Sequence, residues 1–224
     1  MNRVNTVSRA VKIRNCIISV SDKTGLDYLV KGLLGINPSI TLYSTGGTFS
    51  FISDVLSGEF RKNLRQISSF TGQPEMQGGL VKTLDFKIYL GILSEPGNEA
   101  HTQDIARVKG VEFDMVVVNL YPFGDVIKKP ETTLEDARSH IDIGGPCMLR
   151  ASAKNFLRLA SVCDPSDYRG LLDELKTSDG CLSLSTRFAL AKKTFSHTAA
   201  YDKAIAEFLL AQPAEITEQH YTLF

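Results

Sequence analysis

What this chain lacks removes whole classes of function. Its 25 lysines and arginines are matched by 25 aspartates and glutamates, giving a formal net charge of +0. No global field therefore draws it to nucleic acid or to an anionic membrane, and any anion must be gripped by local geometry. Cysteine is sparse: Cys16, Cys147, Cys163 and Cys181 are scattered, with no close pair at metal-ligand spacing. That spacing argues against a zinc site and a disulfide framework, so no metal is expected. Cys16 and Cys163 sit in apolar stretches and read as core thiols, which fits a reduced, cytoplasmic protein. No apolar run approaches the roughly 18 residues needed to span a bilayer. The first fourteen residues carry Arg3, Arg9, Lys12 and Arg14 without an acid and without the apolar core of a secretory signal; they read as a frayed basic N-terminus. There is no repeat, low-complexity segment or obvious linker.

What remains is 224 residues, 43% hydrophobic and 22% charged, enough for one α/β domain with a sizeable core. Cys16-Ile17-Ile18-Ser19-Val20 is a β-branched run that feeds a polar loop, hence a strand. Leu26, Leu29, Val30, Leu33 and Leu34 follow at helical spacing, predicting a helix over 25–34. A second strand is expected at 40–43, a second helix at 48–56 and a third extended piece at 64–67. Met115-Val116-Val117-Val118 is apolar on both faces, as a strand covered on both sides must be, and a helix over 99–109 precedes it. Residues 159–163 give another strand, with Pro165 starting a helix. From 183 to 210 the pattern is helical, either as two helices or as one broken near His197. Strands alternating with helices favour a doubly wound parallel sheet with a helical C-terminal extension.

Four small-polar and glycine segments stand beside these apolar runs: SVSDKTG (19–25), STGGT (44–48), GGLVKTL (78–84), and NLYPF (119–123) with DIGGPCMLRASAKN (142–155). An open α/β sheet places its ligand loops just past its strands. In SVSDKTG, Ser21, Asp22, Lys23 and Thr24 lead into a helix N-terminus, whose unpaired N–H groups suit a phosphate. The Lys-Thr pair lacks the glycine spacing of a P-loop, so a nucleotide triphosphatase is disfavoured, and a plain capping turn is an equal reading. STGGT repeats the arrangement with Thr45, Gly46, Gly47 and Thr48, and two such loops could close on one phosphate. Lys82 and Thr83 mean little alone. Asn119 and Tyr121 leave the strongest strand where they could meet a ligand, although a strand-ending turn reads as well. In the last segment Asp142 precedes Gly144 and Gly145, and Pro146 can start a helix with Arg150 and Lys154 on one face. A lysine held near a carboxylate could shuttle protons.

Taken in order, SVSDKTG, STGGT, TGQPEM, VKTL, VVVNLYPF, IDIGGPCMLRASAKN and FSHTAAYDKAI make the chain resemble the IMP cyclohydrolase domain of the bifunctional purine-biosynthesis proteins. The resemblance implies a methylglyoxal-synthase-like α/β fold and closure of formyl-AICAR (FAICAR) to IMP with loss of water, without metal or organic cofactor. It implies a leader over 1–12, a cyclohydrolase-like domain over 13–212 and a tail over 213–224. Ser21, Lys23, Thr24, Thr45, Gly47 and Thr48 would hold the 5′-phosphate, with Asp22 and Gly46 also binding substrate. Lys82 and Thr83 would lie near the base, and Asn119, Tyr121, Asp142 and Gly144 at the reacting end, with Lys82, Tyr121 and Asp142 among the catalytic residues. Lys154 would be the main proton donor or acceptor, positioned by Asp142. A homodimer is implied, with a small-molecule substrate and no nucleic-acid or membrane partner. The match ends shortly before Phe224, which leaves two expectations: a separate formyltransferase supplies the substrate, or the chain serves another role.

Three departures from the family pattern stand together. Leu80 replaces an arginine, Thr83-Leu84-Asp85-Phe86 replaces TLHP, and Tyr89-Leu90 replaces histidine-glycine. They are expected to change the charge around the base. They favour the alternative of a purine-nucleotide or phosphosugar sensor that has kept the cradle and lost the chemistry. Methylglyoxal synthase shares the implied fold but fits the 142–155 segment poorly. His101, His140 and His197 read as structural.

Overall fold

The computed structural model describes residues 3–56, 58–73 and 83–222. Its strands form two sheets. The small one joins β1 (Ala10–Lys12) antiparallel to β7 (Cys181–Ser183). The large one is wholly parallel and contains β2 (Asn15–Val20), β3 (Thr41–Ser44), β4 (Leu64–Gln66), β5 (Met115–Asn119) and β6 (Ala160–Val162), in the order β4-β3-β2-β5-β6. The chain lays down β2, β3 and β4 outward, then returns to place β5 on the other side of β2. That reversal is the switch point at which open α/β sheets hold ligands.

The strands are apolar on both faces because both are covered. Cys16, Ile18 and Val20 of β2, with Met115 and Val117 of β5, face one core shared with α1 (Leu26–Ile36) and α9 (Tyr168–Thr177). Ile17, Val116 and Val118 face a second core with Ile88 and Ile92 of α4 (Phe86–Leu93) and Met148 and Leu149 of α8 (Gly144–Lys154). Helices on both sides of a parallel sheet make the doubly wound architecture read from the sequence. The remaining α-helices among the described residues are α2 (Gly46–Val55), α3 (Ile67–Thr71), α5 (Glu99–Arg107), α6 (Phe123–Val126), α7 (Leu134–Ser139), α10 (Leu184–Leu210) and α11 (Ile216–His220). No helix among the described residues is long and apolar enough to cross a membrane.

Three local readings change. The stretch read as a frayed leader contains β1, and the Ser8 carbonyl just before it accepts from the buried Arg187 guanidinium, so the chain is tied down from that point on. The C-terminal pattern forms one 27-residue helix, α10, with no break at His197. Ser196-His197-Thr198 are weak helix formers, but no glycine or proline interrupts the segment, and packing against α8, β6 and α6 carries the helix through. Finally, Asp85 begins an unforeseen helix: it is the N-cap of α4 and accepts from the Lys87 N–H at 2.8 Å.

Candidate active site

A cleft of about 370 Å³ opens where the C-terminal ends of β2, β3 and β5 meet the start of α8. That volume lies at the small end of the range for small-molecule sites. One end is built as an anion cradle. β3 runs into α2 through Thr45, whose side chain makes no capping bond, and Gly46, Gly47 and Thr48 bring the first turn of the helix to the cleft wall. Gly46 has φ 47, in the left-handed region open to glycine. The first N–H groups of a helix have no intrahelical partner and carry its partial positive charge, so they face the cleft as anion donors. Ser19, Ser21 and Lys23 line the same end.

The cradle is held by side chains that appear, from sequence, to be ligand groups. Asn119 accepts from the N–H groups of Ser21 and Asp22 at 2.6 and 3.0 Å, and donates to the Asp22 carbonyl at 2.7 Å. It thereby clamps the β2 loop to the end of β5. Thr48 Oγ1 accepts from the Val20 N–H and donates to the Val20 carbonyl, so its hydroxyl ties α2 to β2 and only its main chain is left for a ligand. Asp22 and Thr24 are bonded to each other. Thr24 donates both its N–H and its hydroxyl to Asp22 Oδ1, and the pair closes an exposed turn that does not line the cleft. The sharing of one carboxylate by two donors holds Asp22 below its ordinary pKa.

At the other end Tyr121, Asp142 and Gly144 meet Thr83. Asp142 accepts from the Gly145 N–H at 3.0 Å, and the Tyr121 N–H also pulls on its carboxylate. Burial nevertheless dominates and raises its pKa, against the pull of those two N–H groups. A Cβ on Gly144 would stand 2.9 Å from Thr83 Oγ1, and one on Gly145 would stand 2.5 Å from Asp142 Oδ2. The double glycine therefore lets the carboxylate fold back onto the start of α8. Lys82 and Leu80 lie outside the described residues.

Lys154 is not where the sequence puts it. It ends α8, ten residues from Gly144, or about 15 Å along the helix axis. Because α8 crosses between parallel strands, its start is at the cleft edge of the sheet and its end at the opposite edge. Lys154 is exposed there, outside the cleft lining, and Asp142 does not position it. Arg150, on the same helix, rests over the Phe195 ring at 5.8 Å. Two of the departures also miss the cleft: Asp85 is occupied as a cap, and Tyr89 packs toward Cys147 in the second core. Sequence reading missed the apolar rim formed by Leu84, Ile141 and Ile143, the last 56% exposed. Ile143 stands inside the motif DIGG, but no periodicity marks a single exposed isoleucine.

The family model for the MGS-like domain matches residues 26–147, more than half of the chain and the span holding most of this cleft. The chain belongs to the MGS-like family. Beyond that MGS-like span, the model for the AICARFT/IMPCHase bienzyme matches residues 152–223. The bifunctional purine biosynthesis protein PurH of Acetivibrio thermocellus is 42% identical over 203 residues, 91% of this chain and 38% of that protein. The MGS-like chain thus spans about two fifths of the length of this curated relative. Among solved structures, the crystal structure of ForH aligns with TM-score 0.73 at 32% identity, covering 88% of this chain and 99% of that one.

Proposed function

We propose that the protein is an IMP cyclohydrolase, closing FAICAR to IMP with loss of water in purine biosynthesis. The observation that carries this reading is the pairing, in one cleft, of an uncapped helix start beside Lys23 with a buried carboxylate of raised pKa. The identity with PurH supports it. The 5′-phosphate binds at the start of α2 with Lys23 and the hydroxyls of Ser19, Ser21 and Thr45. The base then reaches Thr83, Tyr121 and Asp142. The carboxamide nitrogen attacks the formyl carbon, and Asp142 takes the N–H proton and returns it to the oxygen. A second N–H proton follows the hydroxyl out as water, leaving the ring C=N bond. A group whose pKa is moved toward neutrality suits a proton taken and returned in one cycle. Holding both reacting groups of one molecule in contact supplies the rest.

Conversion of FAICAR to IMP by the purified protein, followed by absorbance, tests the proposal with Asp142→Asn alongside. Turnover by the wild type, slowed at least about 100-fold in the variant while IMP affinity holds, is the expected result. IMP binding without wild-type turnover would sink it in favour of the second reading, a nucleotide-sensing module. One observation favours that second reading: Lys154, the proton carrier that the resemblance implies, stands at the far edge of the sheet from the cleft.

A further inference from the structure

Tyr201 lies on α10, outside the segments that line the cleft, yet its hydroxyl reaches the turn that carries Asp142. The hydroxyl oxygen accepts from the Asp142 N–H at 2.8 Å and donates to the His140 carbonyl at 3.4 Å. One hydrogen and two lone pairs allow both bonds at once. Burial pushes the Tyr201 hydroxyl pKa up, so the group keeps the proton it donates. Its ring meets Phe123 edge-on, with centroids 6.2 Å apart, and Phe123 meets Phe208, further along α10, at 6.0 Å. Phe123 is buried, opens α6 and follows Tyr121 by two residues. The Tyr121 N–H in turn pulls on the Asp142 carboxylate, working to lower its pKa.

We propose that Tyr201 is a positioning residue for the reacting end of the cleft, fixing the Asp142 main chain through its hydroxyl and the Tyr121 loop through its ring. The inference deepens the cyclohydrolase reading and rests on it for the reaction it serves. The physical need is local. Asp142 is followed within three residues by two glycines, which leave the backbone free to move, and its carboxylate is held by the Gly145 N–H and pulled on by the Tyr121 N–H from a different segment. Neither segment is part of the sheet. A rigid 27-residue helix that bonds one and packs on the other fixes the distance between them. The tyrosine lies in the FSHTAAYDKAI segment, which supplies no lining residue of the cleft.

Tyr201→Phe tests this, because it removes the hydroxyl and keeps the ring on Phe123. The expected result is a fall in kcat of about 10–100-fold with KM little changed, since a misplaced group near the chemistry costs rate rather than phosphate binding. The acid limb of the kcat profile, set by Asp142, moves with it. Hydrogen exchange at the Asp142 amide, followed by NMR in the ligand-free protein, speeds up at least about tenfold. Wild-type kcat together with wild-type exchange overturns the proposal, and so does a lowered Tm with unchanged kcat, which marks ordinary packing. If the wild type does not close FAICAR but the Asp142 amide loosens in the variant, the reaction assignment fails and the positioning role stands.

Discussion

A carboxylate drawn out of water titrates differently from one on a surface, even with two amide hydrogens aimed at it. Asp142 accepts from Gly145 and feels the pull of the Tyr121 N–H, but burial outweighs both and raises its pKa. A raised folded-state pKa means that the folded protein holds this proton more tightly than the unfolded chain does. The group's stabilisation is complete below the ordinary carboxylate pKa and is lost as pH rises through the raised value. Asp142→Asn, which carries no charge at any pH, should therefore gain on the wild type as pH increases. The Tm difference between variant and wild type is expected to move in favour of asparagine between pH 4 and pH 7 (a pH range taken from the ordinary carboxylate value upward). In a chain of this size each kcal/mol of linkage is worth about 2–4 °C. A pH-independent offset can arise from the hydrogen bond that asparagine loses, so the slope is the quantity to measure. A flat or reversed slope in parallel thermal melts would show that the carboxylate is solvated in the free protein. The same residue would then lack the shifted pKa that suits it to proton transfer.

Two helix starts frame the cleft, and their glycines make opposite predictions. At α2, a Cβ on Gly47 would meet nothing within 4 Å, and the residue lines the cradle. Alanine there should leave the fold intact or slightly firmer, since glycine inside a helix costs roughly 0.5–1 kcal/mol relative to alanine. The added methyl would nonetheless stand where a phosphate approaches the backbone, so IMP affinity should fall while Tm holds. At α8, a Cβ on Gly145 would lie 2.5 Å from Asp142 Oδ2 and 2.7 Å from Leu120 Cδ2. Gly145→Ala should cost about 1–3 kcal/mol, as overpacking does, and should swing the carboxylate out of place. Titration of both variants with IMP, beside thermal melts, separates the two effects. Equal behaviour of the two variants would mean that neither helix start is shaped for its ligand.

Across the whole molecule, what could be read in the sequence was whatever a single segment encodes. The strands at 15–20 and 115–119 announced themselves because both faces had to be apolar, and the cradle loops followed from their places after those strands. What escaped was set by partners far along the chain. Asp22 and Thr24 look like ligand groups until they are found bonded to each other, and Lys154 looks close to Asp142 until the direction of α8 separates them. Arg187 is the extreme case. It is 0% exposed, and its guanidinium donates to the carbonyls of Ser8, Phe156, Leu157 and Leu182, joining the N-terminal strand, the link from α8 to β6, and β7 to α10. A charge among leucines would be costly unpaired, but here every guanidinium nitrogen finds a carbonyl, that of Leu182 buried and those of Ser8, Phe156 and Leu157 in part-buried bonds. Arg187→Met keeps much of the stem and strands those four acceptors. With each unsatisfied group worth roughly 1–3 kcal/mol, a loss of at least about 3 kcal/mol is expected, a fall of about 6–12 °C in Tm. The cleft lies elsewhere, so at temperatures where the variant is folded its IMP affinity should match the wild type. A Tm within about 2 °C of wild type would show that water or the met side chain's neighbours satisfy those carbonyls. The N-terminal strand would then owe its place to its pairing with β7 alone.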